Sequence, residues 1–218
     1  MIFILKRDLN NFALFECLKD EEGRSKLTEM YESYMKVGKD NGFKMLIGSP
    51  TWRATADHMI GMGYQASEVA TYNKMAVEFM IDFRKAHPEV PLTVAGDVGP
   101  RGDGYVPDKL MTVDESKTFH SVNIGGLSAG GAELIQALTM NYWEEAAGVV
   151  LAAKEINLPV TIYFTVETDG KLVGGMTLQD AIKKVDEVTG NYASHFGVNC
   201  AHPIHCDQSF AGLDQVNL

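Results

Sequence analysis

The sequence is short of cysteine, of long apolar runs and of positive charge, and each shortage excludes something. Its three cysteines, Cys17, Cys200 and Cys206, cannot build a disulfide framework. They fit a reducing, cytoplasmic setting in which thiols stay free to react or to bind metal. No apolar run approaches the roughly 18 residues of a membrane span. Met1-Ile2-Phe3-Ile4-Leu5 precedes Lys6-Arg7, the reverse of signal-peptide order. With 19 Lys and Arg against 29 Asp and Glu, the formal net charge is -10. Such a field repels nucleic acid and anionic membranes, so neither is expected as a partner. Internal repeats and low-complexity tracts are also missing.

What is present is ordinary globular material. Hydrophobic residues make up 45% and charged residues 22% of 218 residues, enough for one good-sized core and a single domain over residues 1–218. Apolar β-branched runs alternate with amphipathic stretches. Strands are predicted at Phe43 to Ile47, Pro91 to Ala95, Glu133 to Leu138, Pro159 to Thr165 and Ala193 to Asn199. Helices are predicted at Asp20 to Lys39, Ser67 to Lys85, Thr112 to Leu127, Trp143 to Lys154 and Thr177 to Val188, with Thr112 or Asp114 as an N-cap. Ile2 to Leu5 reads as a further short strand or an apolar arm. This β-α alternation with short connections predicts a parallel sheet, either a (β/α) barrel or a doubly wound sheet. The strands read as apolar on both faces, as helix-covered strands do.

Polar residues gather just after the strands, where such folds carry their chemistry. The most informative stretch is Gly197-Val198-Asn199-Cys200-Ala201-His202, which carries a buried strand into a loop that also holds His205 and Cys206. Cysteine and histidine at this spacing suit zinc, although a buried core cysteine beside surface histidines is the bland alternative. Gly96-Asp97-Val98-Gly99-Pro100-Arg101-Gly102-Asp103-Gly104 lacks the Gly-Lys-Ser/Thr end of a phosphate loop, and its two acids would repel phosphate. Its glycines are expected to let the backbone turn sharply beneath a ligand. Thr51, Trp52 and Arg53 follow the first of the five strands, Thr139 and Asn141 the third, and Thr165 and Glu167 the fourth. Arg53 reads equally as a substrate contact or as the partner of a nearby carboxylate. Glu144 and Glu145 read as charges in the first turn of a helix, where its dipole favours them.

Pro50-Thr51-Trp52-Arg53-Ala54, the Gly96 to Asp103 loop, Glu144-Glu145-Ala146, Phe164-Thr165-Val166 and Gly197-Val198-Asn199-Cys200 occur in the order seen in homocysteine S-methyltransferases. The chain resembles that family from about Asn10 to about His205. The resemblance implies a zinc-dependent (β/α) barrel of the TIM type that methylates the thiol of homocysteine to give methionine. The donor would be a sulfonium or ammonium compound, such as S-methylmethionine or S-adenosylmethionine. It further implies three cysteine ligands for zinc, one of them at Cys200 and an adjacent pair after an eighth strand. Zinc would strip the proton from the substrate thiol and hold the thiolate as nucleophile.

The pattern also departs from the family. The glycine-rich first strand is not found, and the residues end at Leu218 without a Gly-Gly-Cys-Cys element. Leu138 stands where many members carry glutamate. An incomplete barrel of about five strands is expected, equivalent to the second through the sixth. Cys206, His202 and His205 are then the local candidates to join Cys200 on zinc. Cys200 and Asn199 are the candidate catalytic residues, and Thr51, Asp97, Thr139 and Thr165 the candidate substrate contacts. Two other readings stay open: an inactive member acting as a binding or assembly module, and a metal hydrolase built on His202, His205 and Asp97. Five strands leave two open edges and an uncovered apolar inner face, so a homo-oligomer is expected.

Overall fold

The computed structural model describes residues 9–107 and 110–210. The strand expected at Ile2 to Leu5 and the tail after Phe210 lie outside these residues. Five strands form one parallel sheet: β1 (Met45–Gly48), β2 (Leu92–Val98), β3 (Leu134–Met140), β4 (Val160–Phe164) and β5 (His195–Val198). Their spatial order is their chain order. A doubly wound sheet reverses direction at a switch point; this one never does. It winds one way, with its helices on one side, as an incomplete (β/α) barrel of the TIM type.

The intervening helices are α1 (Glu21–Asn41), α2 (Ala56–Gly61), α3 (Glu68–Ala86), α4 (Val113–Ala129), α5 (Trp143–Glu155), α6 (Leu178–Thr189) and α7 (Pro203–Phe210). Several helix ends follow directly from local chemistry. Asp20 caps α1 by accepting from Gly23 N, and Gly42 ends it at φ 66°, a left-handed geometry that glycine adopts freely. Thr112 heads α4 in a reciprocal capping box with Glu115, so of the two expected candidates Thr112, not Asp114, is the cap. Helices α2 and α7 are not among the expected elements, because neither is long enough to display a full apolar stripe. Short 3₁₀ turns at Asn10–Phe12 and Leu14–Lys19 precede α1. They bring Phe15 into a small second core with Ala54, Met59, Tyr64 and Val69.

The strands divide their residues sharply between the two faces. Val94, Val98, Ile135, Ala137, Ile162, Phe164 and Phe196 are buried with the helices in the main core. A Cβ on Gly96 would stand 2.9 Å from the Leu127 side chain of α4, so this side of β2 meets the helix directly. Alternate positions face the other way. There Asp97, Gln136, Thr161 and His195 lie in one cross-strand row from β2 to β5. Tyr163 and His195 are joined at 3.0 Å through the phenol oxygen and Nε2. The expectation of strands apolar on both faces is therefore corrected: the concave face carries a polar band. An alternation signal existed, but Thr and Tyr are common in buried strands and do not by themselves announce it.

Neighbouring outer helices approach closely because small residues sit at their crossings. On α5, a Cβ at Gly148 would fall 2.3 Å from the Ser116 side chain of α4. On α4, a Cβ at Gly126 would fall 2.4 Å from the Ala70 carbonyl of α3. Replacing Gly148 by valine must push α5 away from α4. We expect a stability loss of about 1–3 kcal/mol, the usual cost of overpacking, read as a lower urea midpoint. An unchanged midpoint would refute the close-crossing account.

Candidate active site

The C-terminal ends of the strands carry Thr51, Asp97, Thr139, Thr165 and the Asn199-Cys200 pair, all on one rim of the sheet. A cavity of about 380 Å³ opens there. Asp97, Thr139, Asn199 and Cys200 line it, together with Tyr31, Trp52, Tyr105 and Leu138. Thr51 and Thr165 do not. Thr51 is buried beneath the rim, where its hydroxyl meets Ser49 Oγ at 2.7 Å and donates to the Asp97 carbonyl at 2.6 Å. Thr165 is buried too, and its hydroxyl has no partner among the described residues.

Asn199 organises the thiol. It follows β5, yet it bonds to Thr139 at the end of β3, with the whole of β4 between them. Its Oδ1 accepts from Thr139 N at 2.9 Å. Its Nδ2 donates to Thr139 Oγ1 at 3.1 Å and to Cys200 Sγ at 3.3 Å. The Thr139 hydroxyl also approaches Cys200 Sγ at 3.6 Å. Thr139 has φ 63° and Cys200 φ 54°, left-handed values that are uncommon outside glycine and most costly for a β-branched residue. The strand register shifts between Ala137 and Met140, a bulge that turns Thr139 toward the thiol. Tyr105 comes in from the glycine-rich loop. Burial raises its phenol pKa first, and the neighbouring Cys200 raises it further.

Within the glycine-rich loop, a Cβ on Gly99 would lie 2.2 Å from the Trp52 carbonyl and 2.9 Å from its indole ring. Glycine is needed at 99 to close the loop over Trp52. The indole Nε1 donates to the Leu138 carbonyl at 3.2 Å, fixing the ring as a cavity wall. Arg53 stacks on that ring, 4.3 Å from its centroid, and donates to the Gly102 carbonyl at 3.0 Å. It also meets His58, whose pKa falls to about 4 through burial and then the Arg53 charge. The ion pair on this rim belongs to Arg101, whose Nε lies 2.8 Å from Asp57 Oδ2.

Glu145 sits in the first turn of α5, as expected, but does not face solvent. It is buried instead, accepting from Arg101 N at 2.7 Å and pairing with the buried His120 Nε2 at 3.0 Å. It thereby fastens the glycine-rich loop to α4. Nothing in the local sequence distinguishes it from Glu144. Tyr31 was legible only as part of an apolar helical stripe; its hydroxyl donates to the Gly48 carbonyl at 3.0 Å.

His202, His205 and Cys206 lie at and within α7 and do not line the cavity. The two imidazole rings are 5.7 Å apart, and Cys206 Sγ is 3.8 Å from the Ala201 carbonyl. Among the described residues, no three His, Cys, Asp or Glu side chains come together as a metal-holding group. Cys200 therefore stands without such a donor group around it among the described residues, and this donor set does not fit a complete zinc site.

Parallel β/α units wound in one direction, with a thiol and a polar rim at the strand ends, define a barrel-type protein with a cavity at those ends. The model of the homocysteine S-methyltransferase family matches residues 5–218, and the chain belongs to that family. No curated protein sequence matches it. Among solved structures, it is similar to the metallated form of the homocysteine methyltransferase MmuM from Escherichia coli. The TM-score is 0.79 at 19% identity, over 98% of this chain and 76% of that one. The oxidized form gives 0.72 at 20% identity, over 89% and 68%. The apo form gives 0.72 at 20% identity, over 98% and 74%. At these identities the likeness is one of fold. Among the described residues, no helix is long and apolar enough to cross a membrane.

Removing the Asn199 carboxamide should release the strained Thr139. For Asn199→Ala we expect a loss of about 1–3 kcal/mol, the scale of an orphaned buried amide or a strained residue. Adding Thr139→Gly should recover part of it, since glycine takes positive φ without strain. Denaturation midpoints of the single and double variants measure both. A double variant no more stable than Asn199→Ala would reject the strain account.

Proposed function

We propose that the cavity binds the thiol of homocysteine beside Cys200 and transfers a methyl group to it from S-methylmethionine or S-adenosylmethionine, giving methionine. The observation that carries this reading is Cys200 within a walled cavity at the strand ends, in a chain whose family is defined by this reaction. Transfer to sulfur forms a new S–CH₃ bond as the donor's C–S⁺ bond breaks. The bonding pair stays on the departing sulfur, and the acceptor thiol gives its proton to solvent before attack, so that a thiolate meets the cationic donor. Charge is neutralised along this path, so a cavity with aromatic walls and little water favours the transition state over the separated ions. Trp52 and Tyr105 would exclude water, while Asn199 and Thr139 would orient the Cys200 thiol. The zinc implied by the family would need more than Cys200, and His202, His205 and Cys206 do not line the cavity. The cytoplasm is the compartment in which such thiols persist.

A second reading is a binding or assembly module, favoured by the absence of a metal-holding group among the described residues. Two measurements separate the readings: calorimetric titration with L-homocysteine, and methionine formation from homocysteine and S-methylmethionine. The methyltransferase reading expects both signals, and loss of methionine formation in Cys200→Ser. Binding without methionine supports the module; neither signal sinks the homocysteine reading altogether.

We propose in addition that the chain self-associates along its open sheet. Strands β1 and β5 each have one bonded neighbour among the described strands, and Leu46 is 42% exposed on β1. Unpaired edges invite pairing with another chain. Light scattering at micromolar concentration should give the mass of a dimer or larger species. A stable monomer defeats this proposal.

A further inference from the structure

We propose that Asp97 makes the cavity selective for an organic cation, so that a ligand seats an ammonium or onium group against this carboxylate. Among the described residues that line the cavity, Asp97 is the one Asp, Glu, Lys or Arg. Its backbone is held on both sides. The Asp97 N–H donates to Ser49 Oγ at 3.1 Å, and its carbonyl accepts from Thr51 Oγ1 at 2.6 Å. The carboxyl group lies directly over Gly48, where a Cβ would stand 2.1 Å from Oδ2, so any larger residue at 48 would evict it. Gly48 is itself anchored through its carbonyl to the Tyr31 hydroxyl at 3.0 Å.

Among the described residues this carefully held group has no cation. Its Oδ1 is buried without a hydrogen-bond partner, and it enters no ion pair among the described residues. Burial drives its pKa well above the ordinary carboxylate range, with no opposing positive charge. A buried carboxylate is tolerated at such a cost where something else completes it. The surrounding walls indicate the sign and type of the missing group. Tyr31, Tyr34, Trp52 and Tyr105 offer aromatic rings, whose faces attract cations, including those too bulky to hydrogen-bond. Two sources share this chemistry: the α-ammonium group of an amino-acid thiol and the sulfonium or ammonium centre of a methyl donor.

The choice of probes rests on the methyl-transfer reading, but the selectivity for a cation does not. The test titrates the full chain calorimetrically with two matched pairs. One pair is L-homocysteine and 4-sulfanylbutanoate, which differ by the ammonium group. The other is dimethylsulfoniopropionate and 4-methylpentanoate, which differ by a sulfonium in place of a CH. In at least one pair the cation should bind about tenfold tighter or more, the effect of one charge-assisted contact. Asp97→Asn, or Asp97→Ser if the first variant does not fold, should shrink that preference to about twofold. Preference in the first pair identifies the ammonium source, and preference in the second the onium source. Preference in the second pair with no thiol binding keeps the cation site and removes the homocysteine reading. The proposal is overturned if wild type prefers neither cation. It is equally overturned if a folded Asp97 variant keeps the full preference.

Discussion

The Asn199 carboxamide spans two strand spacings, and the working rim of the protein depends on that reach. Adjacent strands lie about 4.8 Å apart, so residues two strands away in a flat sheet are roughly 10 Å apart. An asparagine side chain closes such a gap only where the sheet curls and the opposing backbone bulges toward it. Both conditions hold here. The register shift before Met140 lifts Thr139 out of the ladder, and Asn199 satisfies the Thr139 amide that the bulge frees. An unmet buried amide would cost about as much as a hydrogen bond is worth, or more. Curl, bulge and carboxamide therefore support one another, and the Cys200 thiol is held at their meeting point.

That arrangement accounts for the left-handed Thr139 and Cys200 at the rim. The helices pack through glycines and small side chains at their crossings, and the apolar residues of each strand point toward them. Such packing stabilises without specifying chemistry. The concave side is built from the alternate residues, with Asp97, Gln136, Thr161 and His195 in one row. Stability and function are thus divided between the two faces of the same five strands. The left-handed Thr139 and Cys200 are tolerated because the outer face is already secured.

Much of the fold was legible because it depends on short-range pattern. The 3.6-residue stripe of α1, the Thr112 cap and the apolar runs of β2 to β5 are local signals, and they recur within a few residues in the structure. The strand ends were less legible. Val98 and Met140 extend β2 and β3 beyond the expected Ala95 and Leu138, because pairing with a neighbour outweighs a nearby glycine or polar residue. The site itself was legible in outline, through Asn199 and Cys200, but not in its supports. Glu145 and Tyr31 act through contacts more than 15 residues away along the chain. A glutamate beside another glutamate, or a tyrosine in a helical stripe, shows no local mark of such a partner.

Asp97 shows the same limit from the other direction. In sequence it is an acid in a glycine-rich loop and a candidate substrate contact, with no mark of how it is held. In the fold its backbone is the last inward-facing position of β2 before Val98 ends the strand. Three further choices keep its carboxyl there: glycine at 48 for space, and the hydroxyls of Ser49 and Thr51 for the backbone. The Ser49 and Thr51 hydroxyls also contact each other at 2.7 Å, so the hinge between β1 and β2 is closed by a small polar network. Such networks rigidify a site when every member is satisfied. Here every backbone contact is satisfied and Oδ1 is not. The unmet bond is confined to the one group that faces the cavity, while its scaffold is complete. A carboxylate placed at random would be neutralised by a neighbouring Lys or Arg or displaced to solvent. One fixed in position with its bonding left open among the described residues can accept an incoming partner.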